Sequence, residues 1–231
     1  MARAEVVVGY KTYMALMDAD LLAGKETVST GMRGEMARCR TAVERCRSGK
    51  ETALVSSGDA GIYGMAGLVL EILEQEGLTE QVDVEIMPGI PALASAAALL
   101  GAPLMHDFAV VSLSDLLTPW ETIRKRIDAA AGADFVIVVY NPRSKKRHWQ
   151  LEEAIGLVRA HRAASTPVGV VRNAAREGES VMVTTLDALP VDRVDMLSIL
   201  IIGNESTRVL GGRMVTPRGY LDKYEVGKRD V

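Results

Sequence analysis

The chain alternates short, β-branched, almost wholly apolar runs with longer stretches of helical periodicity, and this alternation limits its fold more than any other feature. Strands buried on both faces read as continuous apolar runs, and helices between them supply the crossovers that parallel strands need. The pattern predicts strands at Glu5–Val8, Thr52–Ser56, Val82–Met87, Phe108–Leu113, Phe135–Tyr140, Pro167–Arg172, Ser180–Thr184 and Leu197–Gly203. Helices are expected over Met32–Arg47, Met65–Gln75, Ala92–Leu100, Pro119–Ala131 and Lys145–Ala164. The class is α/β with mostly parallel sheets. After Leu100, Gly101-Ala102-Pro103 stops a helix and a strand pattern restarts at Phe108, so two α/β domains are expected, residues 1–104 and 105–231. A cleft between two such units is the natural place for a small ligand.

Composition narrows the function. Lys and Arg number 27 against 30 Asp and Glu, a net charge of −3, so the overall positive field that supports sequence-independent nucleic-acid binding is missing. Aromatic residues make up only 4%, too few for base-stacking platforms, and the core must be aliphatic. Cys39 and Cys46 are seven apart in a helical pattern, about 10 Å at the 1.5 Å rise per residue, which is too far for a disulfide. They are expected as reduced thiols. No charged head with an apolar run opens the sequence, and no apolar stretch approaches the ~18 residues of a membrane span, so a soluble cytoplasmic protein is expected. His106, His148 and His161 are scattered without ligand spacing, and no metal site is expected.

Four strand ends carry the candidate chemistry. The densest is Val55-Ser56-Ser57-Gly58-Asp59-Ala60-Gly61-Ile62-Tyr63-Gly64, where a buried strand runs into a glycine-rich turn that feeds a helix. Such turns let backbone approach a ligand at the carboxyl end of a parallel sheet, although glycines three apart also serve plain close packing. Asp59 favours a site, because an acidic side chain within the turn needs a partner. The second is Met87-Pro88-Gly89-Ile90-Pro91-Ala92, leading into a helix rich in alanine, which either leaves room for a flat ligand or simply packs closely. The third is Tyr140-Asn141-Pro142-Arg143-Ser144-Lys145-Lys146-Arg147-His148, whose cations could hold carboxylates or form a solvated helix start. The fourth, Arg172-Asn173-Ala174-Ala175-Arg176-Glu177-Gly178-Glu179, is either a ligand corner or an ordinary hairpin turn. The dinucleotide pattern G-x-G-x-x-G, the P-loop and the G-x-S-x-G elbow are all missing.

Taken together and in order, these motifs resemble one family, the tetrapyrrole (corrin and sirohaem) methyltransferases, and within it the precorrin-3B C17-methyltransferase branch. The matching stretches are Val6-Val7-Val8-Gly9-Tyr10-Lys11-Thr12-Tyr13, Ser56 through Met65, Pro88-Gly89-Ile90, Tyr140-Asn141-Pro142-Arg143-Ser144, Arg172-Asn173-Ala174, Gly203-Asn204-Glu205-Ser206-Thr207-Arg208 and Arg213 through Tyr220. Where family members often have Pro after the Gly-Asp of the second loop, Ala60 stands here.

The resemblance implies S-adenosylmethionine (SAM) as methyl donor, a tetrapyrrole substrate, a homodimer, and methylation of C17 with ring contraction on the route to cobalamin. It implies a donor site lined by Gly58, Asp59, Ala60, Gly61, Ile62, Tyr63, Pro91, Ala92, Tyr140, Asn141, Asn173 and Ala174. Asp59, then Tyr63, are the acid/base candidates, and Tyr10, Lys11, Arg143, Lys145, Lys146 and Arg172 are the candidates for holding the acidic rim of the macrocycle. Because the family opens with a further strand and a Gly-Pro-Gly turn, the resemblance also implies that this N-terminal strand and loop are missing, and three causes stay open: a start assigned late, a shortened chain, or a complete chain that lacks them. Four alternatives stay open: a cobalt-loaded substrate of the anaerobic route, a sister enzyme acting at another corrin carbon, a non-catalytic tetrapyrrole or SAM binder, and an α/β domain with an unrelated ligand.

Overall fold

The computed structural model describes residues 1–224. The chain forms two compact units, Met1–Pro91 and Ala92–Val231.

In the first unit the elements run β1 (Val6–Tyr10), α1 (Lys11–Met14), α2 (Ala19–Leu22), β2 (Glu26–Thr30), α3 (Glu35–Arg47), β3 (Thr52–Val55) and α4 (Ala66–Gln75). The sheet has the order β2-β1-β3 and both pairings are parallel. Central β1 explains its own sequence: Val6, Val7 and Val8 are fully buried. Val6 and Val8 meet Ala42 of α3, while Cys39 and Val43 pack with Met65, Ile72, Leu73 and Leu78. Cys39 and Cys46 are both free thiols, and burial pushes that of Cys39 up to about 11, well into the un-ionised range.

Two strand expectations change here. Glu26–Thr30 is an edge strand that the apolar pattern misses, because Val28 is its only aliphatic residue. Val82–Met87 pairs with no strand, and its alternation has another cause: Val82 and Val84 pack against the cluster around Ile72 while Asp83 and Glu85 face water.

The second unit holds α5 (Ala92–Leu100), β4 (Gly101–Ala102), β5 (Phe108–Ser112), α6 (Trp120–Gly132), β6 (Val136–Tyr140), α7 (Gln150–Arg159), β7 (Pro167–Arg172), β8 (Ser180–Thr185), β9 (Ser198–Ile202), β10 (Arg208–Leu210), β11 (Arg213–Val215) and α8 (Tyr220–Lys223). Its main sheet has the order β5-β6-β9-β7-β8. The period of two sorts its side chains cleanly. Ile137, Val139, Leu200 and Ile202 face the layer that includes Ile123, Ile127, Leu151 and Ile155 of α6 and α7, and Val136, Val138, Ile199 and Ile201 face Ala96 and Leu100 of α5. A Cβ at Gly169 would lie 2.4 Å from a Leu100 methyl, so glycine there lets α5 sit close on the sheet.

Because Ala96 and Leu100 are buried on this sheet, α5 belongs to the second unit, and the division falls ahead of the junction expected after Leu104. Parallel pairing holds throughout the first unit and between β5 and β6, whereas β6/β9, β7/β9 and β7/β8 are antiparallel, so the larger sheet is mixed. The β7–β8 reversal is the hairpin that Gly178 (φ 73°) permits. The helix expected from Lys145 begins only at Gln150, because Ser144 and Arg147 exchange backbone hydrogen bonds and hold the basic segment as a turn.

Candidate active site

In the first unit, parallel pairing puts the carboxyl ends of β1, β2 and β3 on one edge of the sheet. The loop after β3 is there, and it is built around Asp59. One carboxylate oxygen accepts the N–H groups of Gly61 (2.8 Å) and Ile62 (3.2 Å), and the other accepts the N–H of Gly89 (3.0 Å), thirty residues further on. Asp59 thus ties the Gly58–Tyr63 loop to the Pro88-Gly89-Ile90 turn. The N–H of Gly89, then that of Gly61, with a smaller share from Ile62, holds the Asp59 carboxyl below the usual carboxylate range against a small opposing effect of burial.

Sterics tighten the same junction. A Cβ on Gly89 would fall 1.9 Å from the Gly58 carbonyl oxygen, and one on Gly64 would fall 2.3 Å from that of Ala60, so both positions demand glycine. The Ala60 carbonyl meanwhile accepts from the Ala66 N–H that opens α4. Tyr63 takes the left-handed backbone (φ 52°), a conformation that side chains adopt at a cost and that gathers at ligand sites. Ile62 and Tyr63 are exposed. Tyr10 ends β1 with Tyr13 edge-on to it, and Lys11 beside it is exposed.

The second unit gathers its own set. The Tyr140 hydroxyl accepts the N–H of Leu93 (2.9 Å), so the end of β6 caps the first turn of α5, next to Ala92. Leu93, Tyr140 and Ala174 pack on one apolar cluster. β6 and β7 run in the same direction on either side of β9, which places Asn141 and Asn173, the residues following each, on one edge. Both are left-handed (φ 49° and 51°). Asn141 donates to Ser112 Oγ (3.0 Å), and Asn173 donates to the Glu177 carbonyl (3.2 Å) across the β7–β8 turn. The hairpin and the candidate ligand corner are therefore the same structure.

The expected carboxylate binders differ from one another. Lys145 and Lys146 are exposed. Arg143 donates to the Val191 carbonyl (2.7 Å), and Arg172 pairs with Asp195 (2.9 Å), so each has a role inside the unit and keeps further guanidinium donors. Two pairings went unmarked in the sequence. Arg147 bonds the Asn141 carbonyl (2.5 Å), fixing that corner, and burial pulls its guanidinium below its usual value with Asp115 opposing. Asp195 feels burial pushing its carboxyl up, but hydrogen bonds from Arg172, Ser198 and Leu197 outweigh this and hold it low. Arg147 lies in the cationic run singled out above, but a bond to a backbone carbonyl six residues back leaves no side-chain pattern, and Asp195 gave no signal because it meets Arg172 across 23 residues. Among the described residues no group of His, Cys, Asp or Glu is placed to hold a metal ion, and no helix is long and apolar enough to cross a membrane.

A mixed α/β fold with glycine-shaped corners at strand ends is the setting in which known relatives become informative. Residues 1–190 match the family model of the Tetrapyrrole (Corrin/Porphyrin) Methylases, and the chain belongs to that family. Among its relatives, the probable cobalt-factor III C(17)-methyltransferase of Salmonella typhimurium is 54% identical over 217 residues, 94% of this chain and 89% of that protein. The precorrin-3B C(17)-methyltransferase of a Sinorhizobium species is 40% identical over 212 residues, 91% of this chain and 82% of that one. Among solved structures, the methyltransferase CobJ superposes with a TM-score of 0.89 at 34% identity, covering 94% of this chain and 90% of its own.

Proposed function

We propose that this chain is a SAM-dependent methyltransferase that methylates C17 of a corrin precursor during cobalamin biosynthesis, with contraction of the macrocycle. The observation that carries the proposal is likeness over almost the full length to two C17-methyltransferases, at 54% and 40% identity. The higher figure belongs to a cobalt-factor III enzyme, which favours a cobalt-loaded macrocycle over metal-free precorrin-3B. The cobalt would then be part of the substrate.

The Gly58–Tyr63 loop suits an adenosyl donor. Asp59 fixes its backbone before any ligand arrives, so little ordering is left for binding to supply, and exposed Ile62 offers apolar surface beside it. Of the candidate contacts in the second unit, Tyr140 ends β6, Asn141 follows it, Asn173 and Ala174 follow β7, and Ala92 opens α5. Bound SAM supplies a methyl on a sulfonium, which leaves as a neutral thioether. What the protein must add is orientation of the methyl toward the nucleophilic carbon. With both oxygens of Asp59 engaged by backbone N–H groups, we assign it to positioning the loop, which leaves Tyr63 as the acid/base candidate. The proposal includes a cytoplasmic homodimer, and sedimentation of the purified protein would test the dimer.

The test is incubation with SAM and either cobalt-factor III under anaerobic conditions or precorrin-3B in air. Transfer to the cobalt substrate is expected. Transfer only to precorrin-3B would reverse the substrate preference, and SAM binding without transfer to either would leave a binding module.

A further inference from the structure

At the carboxyl end of β2 the chain makes a turn, Gly31–Gly34, that lies outside the motifs discussed so far. The register pairs Tyr10 with Thr30 and Gly9 with Val55, so this turn shares its sheet edge with the Tyr10 end of β1 and the Asp59 loop after β3, each strand about 5 Å from the next.

The turn is held from within by Arg38, on α3, whose side chain is only 4% exposed. One guanidinium nitrogen donates to Thr30 Oγ1 (2.6 Å) and to the Gly31 carbonyl (3.0 Å), and a second donates to Glu35 (3.2 Å). The Nε has no hydrogen-bond partner, and the guanidinium carbon stands 5.6 Å from the centre of the Tyr10 ring. A Cβ on Gly34 would sit 2.7 Å from Thr30 Oγ1, so the turn closes tightly. Burying a guanidinium is costly, and here its hydrogen bonds fix a segment whose own side chains stand in water.

Those side chains are Met32, 79% exposed, and Arg33, also exposed. Arg33 has a left-handed backbone (φ 65°), as do Tyr63, Asn141, Asn173 and Ala175 in corners that follow a strand end and Asp134 in the turn ahead of β6. An apolar, polarisable side chain beside a cation matches a flat macrocycle fringed with carboxylates.

We propose that the Gly31–Gly34 turn is a substrate-binding element, with Met32 against the macrocycle face, Arg33 paired with a peripheral carboxylate, and Arg38 the positioning residue beneath them. This rests on the tetrapyrrole assignment and adds which residues select the substrate. The test uses the full chain and cobalt-factor III, whose visible absorption reports binding directly, with SAM affinity measured in parallel by calorimetry. Arg33→Glu is expected to weaken macrocycle affinity roughly tenfold and raise its KM alike, with SAM affinity unchanged. Met32→Ser should weaken it less. Arg38→Lys, which keeps the charge but loses the planar fork, should weaken it while retaining SAM affinity. Wild-type macrocycle affinity in Arg33→Glu overturns the inference. If the wild-type chain binds the macrocycle but transfers no methyl, the assigned reaction fails, and the affinity comparison still decides the role of the turn.

Discussion

The two units fix their functional corners by different means. In Met1–Pro91, three short strands and two small apolar clusters carry loops clamped by polar side chains, Asp59 joining residues 61, 62 and 89, and Arg38 holding residues 30 and 31. From Ala92 onward, a five-stranded sheet with apolar layers on both faces presents its corners as direct extensions of buried strands, with hydrogen bonds from Arg147, Asn141 and Asn173 added to that support. Loops of the first kind should respond to loss of one hydrogen-bonding group, and corners of the second kind to loss of core volume.

The largest expected effect tests the second unit. Leu200 is fully buried on the central strand β9, so Leu200→Ala should cost about 2–5 kcal/mol in denaturant unfolding. A change near zero would mean that this sheet does not carry the unit. Gly89→Ala probes the first unit by driving a methyl into the Gly58 carbonyl. Relief at the ~1–3 kcal/mol typical of overpacking would weaken SAM binding by up to about a hundredfold, measured by calorimetry. Unchanged SAM affinity would detach this junction from the donor. Tyr140→Phe removes the acceptor that caps α5 and should cost about 1 kcal/mol of stability, a smaller effect because the ring stays packed.

The smallest effect is a pH dependence that should be missing. The Asp59 carboxyl is held low by Gly89, Gly61 and Ile62, so its clamp is complete above the ordinary aspartate value of ~3.9 and is lost only as pH falls through the lower folded value. SAM affinity should thus show no Asp59-dependent change between neutral and mildly acidic pH, and Asp59→Asn should weaken it even at neutral pH. A titration near pH 6 that disappears in Asp59→Asn would return Asp59 to proton transfer.

Much of the second unit was legible because its strands are continuous apolar runs, and runs such as Val136–Tyr140 identify themselves. Direction was not legible: β9 is as apolar as a parallel strand yet runs antiparallel to both neighbours, and buried strands read alike either way. In the first unit, polar Glu26–Thr30 and the alternation at Val82–Met87 misled in opposite senses, one hiding a strand and the other imitating one. The glycines of the Asp59 loop marked a corner, but its partner thirty residues away is a backbone N–H, which no side-chain pattern reveals. Arg38 was invisible for a related reason, since an arginine within a charged helix gives no sign of being buried.

The most direct measurement is mass spectrometry of the tetrapyrrole after anaerobic incubation of the purified chain with SAM carrying a labelled methyl group and cobalt-factor III. The account predicts a macrocycle heavier by one labelled methyl, located at C17, with S-adenosylhomocysteine formed in equal amount. Unlabelled macrocycle recovered from both the cobalt and the metal-free reactions, while the chain still binds SAM, would contradict it.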